Sequence, residues 1–299
     1  MTAVAPAAGR RPPIHWRRWI GVSIPYLLLA PGLIWLFVFF IYPSIEMLRI
    51  SLSSGSLDTG YSLTFSTDAY VTALQKFPHQ FGNSILYSAL ATTFTFLIGF
   101  PVAYTVAFKG GRYKNLLLFL VIAPFFTSFL IRTISWKVLL GDEGPLLSFL
   151  KHVVHVVPDG FSILGSPVAV VAGLTYNFLP FMILPLYVAL EKIDPRLIEA
   201  SQDLYATNWG AFRRVTLPLA LPGVFAGSML TFIPAMGDYV NATLLGNPQT
   251  QMIGNVIQSR FLVLNDYPVA AALSFILMVG ILVLVVVYAR ALGTEQLTG

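Results

Sequence analysis

Six long intervals without Asp, Glu, Lys or Arg limit the possible folds of this chain more than any other feature. They are Trp19–Ile45, Phe77–Phe108, Asn115–Ile131, Gly160–Leu190, Val215–Gly237 and Tyr267–Ala289. A helix needs about 20 apolar residues to cross the hydrocarbon core of a bilayer. The alternation typical of membrane barrel strands is absent. Only 10% of the residues are charged, against about 25% in soluble domains. The sequence predicts an all-α integral membrane protein with six transmembrane helices.

The distribution of basic residues predicts the orientation, because Lys and Arg near helix ends stay on the cytoplasmic side. With the N-terminus inside, twelve of the eighteen Lys and Arg residues fall on the inner side. We therefore expect both termini to be cytoplasmic, with residues 1–18 as a cytoplasmic tail and residues 19–299 as one transmembrane domain. The net charge of +5 fits inner-side anchoring, and no basic patch interleaved with aromatic residues indicates nucleic-acid binding.

The N-terminal RRPPIHWRRW, followed by an apolar run, resembles the start of a secretory signal peptide. The apolar run is longer than a typical signal-peptide core, and no A-x-A-like cleavage site follows it. The sequence therefore favours an uncleaved first helix.

The motifs of most enzyme classes are missing. There is no cysteine, no G-x-x-x-x-G-K-[ST] phosphate loop, no H-E-x-x-H and no G-x-S-x-G. His152 and His155 lie three residues apart in a loop, where two solvated histidines are favoured over a metal site. The chain is thus predicted not to be an enzyme and to hold no metal or cofactor, and any ATP that drives it must be bound by another chain.

Asp238 is the clearest ionisable residue near a predicted span, where a charge is costly and often functional. It follows an apolar segment in which Pro234 and Gly237 are expected to break the helix, and it is predicted to lie in the outer half of the membrane. Two interpretations remain open. The carboxylate faces a water-lined cavity and a cationic solute, or it pairs with an outer cation such as Arg132.

Arg132, Trp136 and Lys137 lie where the third predicted span ends. A snorkelling Arg and a belt Trp would anchor the helix at the interface; a role in gating or docking is the alternative. In the fourth span, Tyr176 and Asn177 are polar, and Pro180 and Pro185 are expected to interrupt the helix. Those polar groups fit helix–helix hydrogen bonds or the lining of a path.

The segment from Glu199 to Gly223 is the longest polar interval between apolar runs in the second half of the chain, and the chain leaves the preceding span at Glu191. Its pattern predicts two short amphipathic helices, joined near Gly210, that lie on the inner surface. A linker between two spans needs only about five residues. The excess length suggests a protein partner.

This segment carries a motif that resembles the signature of the membrane subunits of bacterial ABC importers. That signature is E-A-A, three residues, G, nine residues, then I-x-L-P. Here the register reads Glu199-Ala200-Ser201, then Tyr205, then Val215-Thr216-Leu217-Pro218. Tyr205 in place of glycine is the one marked departure, and it bears on the bend between the two helices.

The resemblance implies the type I ABC importer permease fold, with a coupling-helix loop at 191–218 between the fourth and fifth helices. In the family this loop docks onto an ATPase subunit. The resemblance therefore implies a coupling helix over 199–213 whose contact residues are Glu199, Ala200, Asp203, Leu204, Ala206 and Arg213. It also implies four kinds of partner in the bacterial cytoplasmic membrane: a second homologous permease subunit, two ATPase subunits that bind ATP and Mg, an extracytoplasmic substrate-binding protein, and the lipid bilayer.

Further stretches, among them FFTSFLIRTISWKVLLGDEGPLLSFL and FIPAMGDYVNATLLGN, resemble the B-type permease subunits of spermidine/putrescine importers. Transport would then proceed by alternating access. A polyamine path should offer carboxylates and aromatic faces, so the expected substrate-pathway residues are Asp238, Tyr239, Trp136 and Tyr176. The alternatives are an ABC permease for another small cationic or organic solute, and a secondary transporter driven by an ion gradient.

Overall fold

The computed structural model describes residues 27–56, 59–152, 158 and 161–292. Of these described residues, those up to Ile50 form one compact unit and those from Ser51 onward form a second. The predicted tail at 1–18 lies outside the described residues. The helices, in chain order, are α1 (Leu27–Ser51), α2 (Asp68–Lys76), α3 (Pro78–Lys109), α4 (Lys114–Ile122), α5 (Phe129–Leu140), α6 (Pro145–His152), α7 (Pro167–Glu191), α8 (Pro195–Asp203), α9 (Asn208–Met236), α10 (Val240–Leu245), α11 (Ile253–Leu262) and α12 (Tyr267–Leu292).

Within the described residues, five helices are long and apolar enough to cross a membrane: α1, α3, α7, α9 and α12. A sixth span exists if the bent pair Gly111–Phe126 and Phe129–Phe149 counts as one, and these two segments meet at 92°. The predicted third span, Asn115–Ile131, is therefore not one straight helix. Pro124 lies in a 3₁₀ turn at the end of α4, and Thr127 is extended, so the backbone turns before α5 begins.

The first unit contains α1, a single apolar helix with one π-helical turn at Phe37–Ile41. Large apolar side chains are exposed along it, among them Leu28 at 76% and Phe40 at 68%. A helix apolar on every face is typical of a membrane span.

The centre of the second unit is a bundle of α3, α7 and α9. α7 is the most deeply buried of the candidate spans, and Phe100, Met182, Leu186 and Ala220 belong to one buried cluster that joins the three helices. Lipid supplies no hydrophobic driving force between membrane helices, so close packing has to hold them together. The sequence pattern that permits it is Gly223-x-x-x-Gly227 on α9.

The two glycines of α9 bring its backbone against α7. A Cβ at Gly223 would lie 2.5 Å from the Ala189 Cβ and 2.7 Å from the Pro185 carbonyl oxygen. A Cβ at Gly227 would lie 2.8 Å from the Met182 sulfur. Small residues at this spacing allow close helix–helix approach in membranes, so the glycines set the distance between the two spans.

The prolines inside the spans do not break the helices, contrary to the sequence-based expectation. α7 is continuous through Pro180 and Pro185, and α9 continues through Pro234 to Met236. Proline in a membrane helix is tolerated where neighbouring groups satisfy the freed backbone carbonyls. The end of α9 is set at Gly237 instead.

A strand hairpin and a second buried cluster lie outside this central bundle. Strands β1 (Ser53–Ser56) and β2 (Gly60–Leu63) form an antiparallel hairpin. Helices α2, α11 and α12 share a second buried cluster that includes Ala73, Ile253 and Leu273. Helix α6 ends at His152, and residues 153–157 lie outside the described part.

Candidate functional site

The polar interval after α7 folds into one short helix and a turn. Asp194 caps α8, accepting a hydrogen bond from the Arg196 amide at 2.9 Å, and Pro195 takes the first helical position. Carboxylate caps and N-terminal prolines are common helix starts. Thr207 caps α9 in the same way, with its Oγ1 accepting from the Gly210 amide at 3.1 Å. The local sequence thus specifies where both helices begin.

The break between the two helices lies at residues 204–207, so the sequence-based expectation of a joint near Gly210 was wrong. Gly210 is inside α9, whose first turns continue directly into a membrane span. The expected coupling helix over 199–213 is therefore not one helix. Residues 199–203 belong to α8, and Arg213 belongs to α9. The Thr207 cap explains the position of the break, because it starts α9 before the glycine is reached.

Tyr205 adopts the left-handed conformation in the turn after α8, with φ of 63°. The Tyr205 amide donates to the Gln202 carbonyl oxygen at 2.9 Å, and the Ala206 amide donates to the Ser201 carbonyl oxygen at 3.0 Å. This pair of hydrogen bonds is the Schellman motif, whose left-handed position is usually glycine. The departure seen in the sequence thus falls at the one position of the turn that favours glycine.

The residues predicted to contact an ATPase are on the surface of this segment. Glu199, Ala200, Asp203, Leu204 and Arg213 are exposed, and Ala206 is half-buried. The exposed fraction is 82% for Leu204 and 98% for Tyr205. Trp209, which the sequence analysis did not select, is 69% exposed. Three large apolar side chains within six residues therefore face outward.

The segment is tied to the core of the bundle at both of its ends. Ile193, just before α8, belongs to the central buried cluster. Phe212, in the first turns of α9, packs edge-on against the Phe100 ring of α3 at 5.5 Å between ring centroids. Lys114 forms an ion pair with Glu191 at the end of α7. These contacts connect the segment to α3, α7 and α9.

A second feature is a buried chain of polar groups that connects three helices. The Asn177 side chain of α7 donates to the Asn241 Oδ1 of α10 at 3.0 Å and to the Thr133 Oγ1 of α5 at 3.2 Å. Asn241 in turn donates to Asp238, with its backbone amide at 2.8 Å and its Nδ2 at 3.2 Å. All four residues are buried. We call Asp238, Asn241, Asn177 and Thr133 the polar network.

Asp238 is held in the turn between α9 and α10. A Cβ at Gly254 would lie 2.4 Å from the Gly237 carbonyl oxygen, so the start of α11 passes directly against this turn. Asn255 of α11 donates to the Tyr239 carbonyl oxygen at 2.9 Å. The carboxylate is thus positioned by contacts from both sides of the turn.

The structure does not pair Asp238 with Arg132, so that sequence-based alternative is contradicted. Glu46–Arg49, Lys114–Glu191 and Asp266–Arg260 form ion pairs, whereas Asp238 forms none with a described residue. The partner of Asp238 is Asn241. Asp238 itself is 8% exposed, whereas its neighbour Tyr239 is 45% exposed.

Trp136 and Tyr176 lie together, with ring centroids 5.3 Å apart. They line a groove of about 610 Å³ whose other walls are almost entirely apolar, formed by residues such as Phe94 and Val171. Asn177 is the neighbour of Tyr176 on α7, and it makes the interhelical hydrogen bonds of the polar network. The four expected pathway residues thus fall into two pairs on different elements, Asp238–Tyr239 and Trp136–Tyr176.

Arg132 does not extend to the interface as an anchor. It is 8% exposed, and its guanidinium lies over the rings of Phe125 and Phe129 at 5.3 and 5.8 Å. Its Nε and Nη1 atoms are buried without a hydrogen-bond partner. The bend between α4 and α5 brings both rings to the same guanidinium. The hydrophobic periodicity of the sequence did not predict that bend.

Sequence reasoning missed Thr133, Asn241, Trp209 and the two α9 glycines. Gly223 and Gly227 had a usable signal, the G-x-x-x-G spacing inside an apolar run. Asn241 and Thr133 had none, because a single polar residue beside a span is common. Among the described residues, no group of three or more His, Cys, Asp or Glu side chains is placed to hold a metal, and His155 lies outside that part of the chain.

Comparison with known proteins identifies the family. Residues 95–291 match the family described as binding-protein-dependent transport system inner membrane component. The spermidine/putrescine transport system permease protein PotB of Haemophilus influenzae is 40% identical over 258 residues, which cover 86% of this chain and 90% of that protein. PotB of Escherichia coli is 35% identical over the same share of this chain and 94% of its own length.

The fold has a counterpart of known structure. A chain of a bacterial ABC transporter involved in the import of the acidic polysaccharide alginate superimposes with a TM-score of 0.75 at 20% identity, covering 95% of this chain and 100% of that chain. This likeness shows the type I ABC importer permease fold, in which ATP hydrolysis belongs to a separate component. The chain therefore belongs to the inner-membrane components of binding-protein-dependent transport systems, as the multi-pass permease subunit of an ABC importer.

Proposed function

We propose that this permease imports polyamines of the spermidine and putrescine type by alternating access. It would pair with a second, homologous permease subunit, two ATPase subunits that bind ATP and Mg, and an extracytoplasmic binding protein. The observation that carries the substrate assignment is the 40% identity, across most of both chains, to a permease named for spermidine and putrescine. Another small cationic or organic solute is the competing assignment within the same family.

Energy coupling is assigned to the exposed segment formed by α8, the turn that follows it and the first turns of α9. This segment is capped at both helix starts and packs through Phe212 against Phe100 of α3. An outward surface with apolar and charged side chains suits a heterologous interface. We assign Glu199, Ala200, Asp203, Leu204, Ala206 and Arg213 to the ATPase contact, with both chain termini and this segment on the cytoplasmic side.

The substrate path is assigned to the two pairs of residues described above. Asp238 supplies a carboxylate that attracts a cation, and Tyr239 offers an aromatic face beside it. Trp136 and Tyr176 offer a second aromatic surface along an apolar groove. Because Asp238 is buried in this conformation, it would meet the solute in another state of the transport cycle.

Whole-cell uptake tests the substrate assignment. The permease is expressed with its own partner subunits in cells that lack polyamine import, and entry of radiolabelled spermidine and putrescine is measured. We expect ATP-dependent uptake that unlabelled polyamines compete away and amino acids or sugars do not. Uptake blocked by a different solute and not by polyamines would contradict the assignment.

Purification of the complex tests the coupling assignment separately. We expect the ATPase subunit to co-purify with the wild-type permease and to be lost when Leu204 is replaced by Asp. A transport-competent permease that needs no ATPase would contradict it.

A further inference from the structure

Tyr205 combines an unfavourable backbone conformation with full exposure. Its φ of 63° lies in the left-handed region, where a Cβ is crowded by the following carbonyl and glycine is strongly preferred. Its side chain is 98% exposed. Within this chain, therefore, no packing of the ring offsets the unfavourable backbone.

The turn that holds Tyr205 is ordered by hydrogen bonds on both sides. Its own amide and that of Ala206 close the end of α8, and the Gln202 side chain donates to the Asn208 Oδ1 at 2.9 Å across the turn. The ring is thus presented by a pre-organised backbone. Pre-organisation lowers the conformational entropy lost on binding.

The surroundings of Tyr205 have the character of a binding surface. Leu204 and Trp209 flank it in the chain and are 82% and 69% exposed. The Trp209 ring stacks on Phe212 at 5.3 Å, and Phe212 reaches the core of the bundle. Tyr and Trp are enriched among the residues that dominate binding energy. A side chain that binds a partner here would be connected to the spans through Trp209 and Phe212.

We propose that Tyr205 is the specificity-determining anchor by which this permease recognises its own ATPase subunit, with the ring entering an apolar cleft of that subunit. The inference rests on the proposed coupling function of the segment. The cleft should be lined by apolar side chains and wide enough for a six-membered ring, since the neighbouring exposed groups Leu204 and Trp209 are apolar. An ATPase whose partner permeases carry glycine at this position should lack that cleft.

Variants that separate the ring from the backbone test this proposal. Tyr205→Gly and Tyr205→Asn both suit a left-handed turn and both remove the ring, whereas Tyr205→Phe keeps the ring. The full complex is purified from co-expressed subunits and placed in nanodiscs. The apparent Kd between the ATPase subunit and the permease is then measured. We expect a loss of at least tenfold in affinity for the Gly and Asn variants, and a change within about threefold for Phe. Substrate-stimulated ATP hydrolysis should fall in parallel.

Leu204→Asp serves as the control on the coupling function itself. If Leu204→Asp abolishes ATPase binding while Tyr205→Gly leaves the Kd unchanged, Tyr205 is not the anchor. The proposed coupling function of the segment then still stands. If neither variant alters binding, the proposed function of the segment fails. As an independent measurement, Tyr205→p-benzoylphenylalanine should crosslink to the ATPase subunit in the intact complex on irradiation. Absence of that crosslink, with crosslinking from position 204, would also overturn the proposal.

Discussion

The Asn177 side-chain amide donates a hydrogen bond to the Asn241 Oδ1 at 3.0 Å, and this bond joins a membrane span to the short helix that follows Asp238. Asn177 is 1% exposed and Asn241 is 0% exposed. Through Asn241 the position of the Asp238 carboxylate depends on α7, and through Thr133 it depends on α5. Asn177, whose sequence context fitted either helix–helix hydrogen bonds or the lining of a path, thus helps to position the Asp238 carboxylate.

The Thr133–Asn177 contact should contribute measurably to stability. We expect Thr133→Val and Asn177→Ala each to destabilise the permease and to be non-additive, with a coupling energy of about 0.6 kcal/mol and at most about 1.7 kcal/mol, the average and the maximum for interhelical hydrogen bonds in membranes. A double-mutant cycle on thermal unfolding in detergent measures it. The control is Ser135→Ala on the same helix, because the Ser135 hydroxyl bonds only the Ile131 carbonyl of its own helix. Strictly additive effects would argue against the contact.

Asp238→Asn should impair transport of a multivalent cation more than it impairs folding. The substituted amide can still accept from the Asn241 backbone amide, which Asp238 now binds at 2.8 Å, but it carries no charge. We expect kcat/KM for spermidine uptake to fall by at least about tenfold, which corresponds to about 1.4 kcal/mol.

The matched control for the loss of one negative charge is Asp266→Asn. Asp266 forms an ion pair with Arg260 at 3.0 Å. Its uptake should remain within about twofold of wild type, since surface ion pairs contribute little. Wild-type spermidine uptake by Asp238→Asn would remove Asp238 from the pathway.

Gly223→Ala should separate α9 from α7. The added Cβ would lie 2.5 Å from the Ala189 Cβ and 2.7 Å from a backbone oxygen, so the helices must move apart. Overpacking of this kind costs about 1 to 3 kcal/mol, and we expect a lower midpoint of thermal unfolding together with reduced uptake.

Gly280→Ala is the matched control, because a Cβ at Gly280 meets no atom within 4 Å. It lies inside α12, where alanine is favoured over glycine by about 0.5 to 1 kcal/mol. The two substitutions should therefore shift the midpoint in opposite directions. Equal shifts would mean that the α7–α9 contact is looser than the structure indicates.

Arg132→Met should leave the permease as stable as the wild type or make it more stable. The Nε and Nη1 atoms of Arg132 are buried without hydrogen-bond partners, and an unsatisfied buried group costs about 1 to 3 kcal/mol. Methionine keeps the flexible apolar stem against Phe125 and Phe129. Thermal unfolding in detergent tests this, with Arg112→Met as control, since Arg112 is exposed and should change stability by less than about 0.5 kcal/mol. A clear loss of stability in Arg132→Met would indicate that the ring contacts outweigh the unsatisfied donors.

The spans were predictable because hydropathy over about 20 residues is a local property. Five of the six predicted intervals overlap continuous helices among the described residues, namely α1, α3, α7, α9 and α12. The third contains the bend at Thr127, whose angle depends on what α4 and α5 pack against. The prolines of α7 and α9 were expected to interrupt their helices, yet both helices remain continuous because their helical geometry is supported by packing.

The polar segment after α7 was predictable as a site and only partly as a structure. The motif spacing located Glu199 and the exposed acids and apolar residues around it. The prediction of the break between α8 and α9 was wrong. Gly210 suggested a break at that glycine, whereas Thr207 caps α9 three residues earlier. The departure at Tyr205 was visible in the sequence, but its left-handed φ and its exposure were not.

The sequence by itself determined the membrane class, the approximate spans, the absence of enzyme motifs and the place of the segment that we propose for energy coupling, since each depends on residues near one another in the chain. The tertiary structure alone decided that Asp238 binds Asn241 and not Arg132, that Asn177 reaches both Thr133 and Asn241, and that Gly223 touches α7. These contacts join residues as many as 64 positions apart. Which polar groups meet inside a bundle depends on the rotation and distance of each helix, and those follow from packing against neighbours that no local pattern encodes.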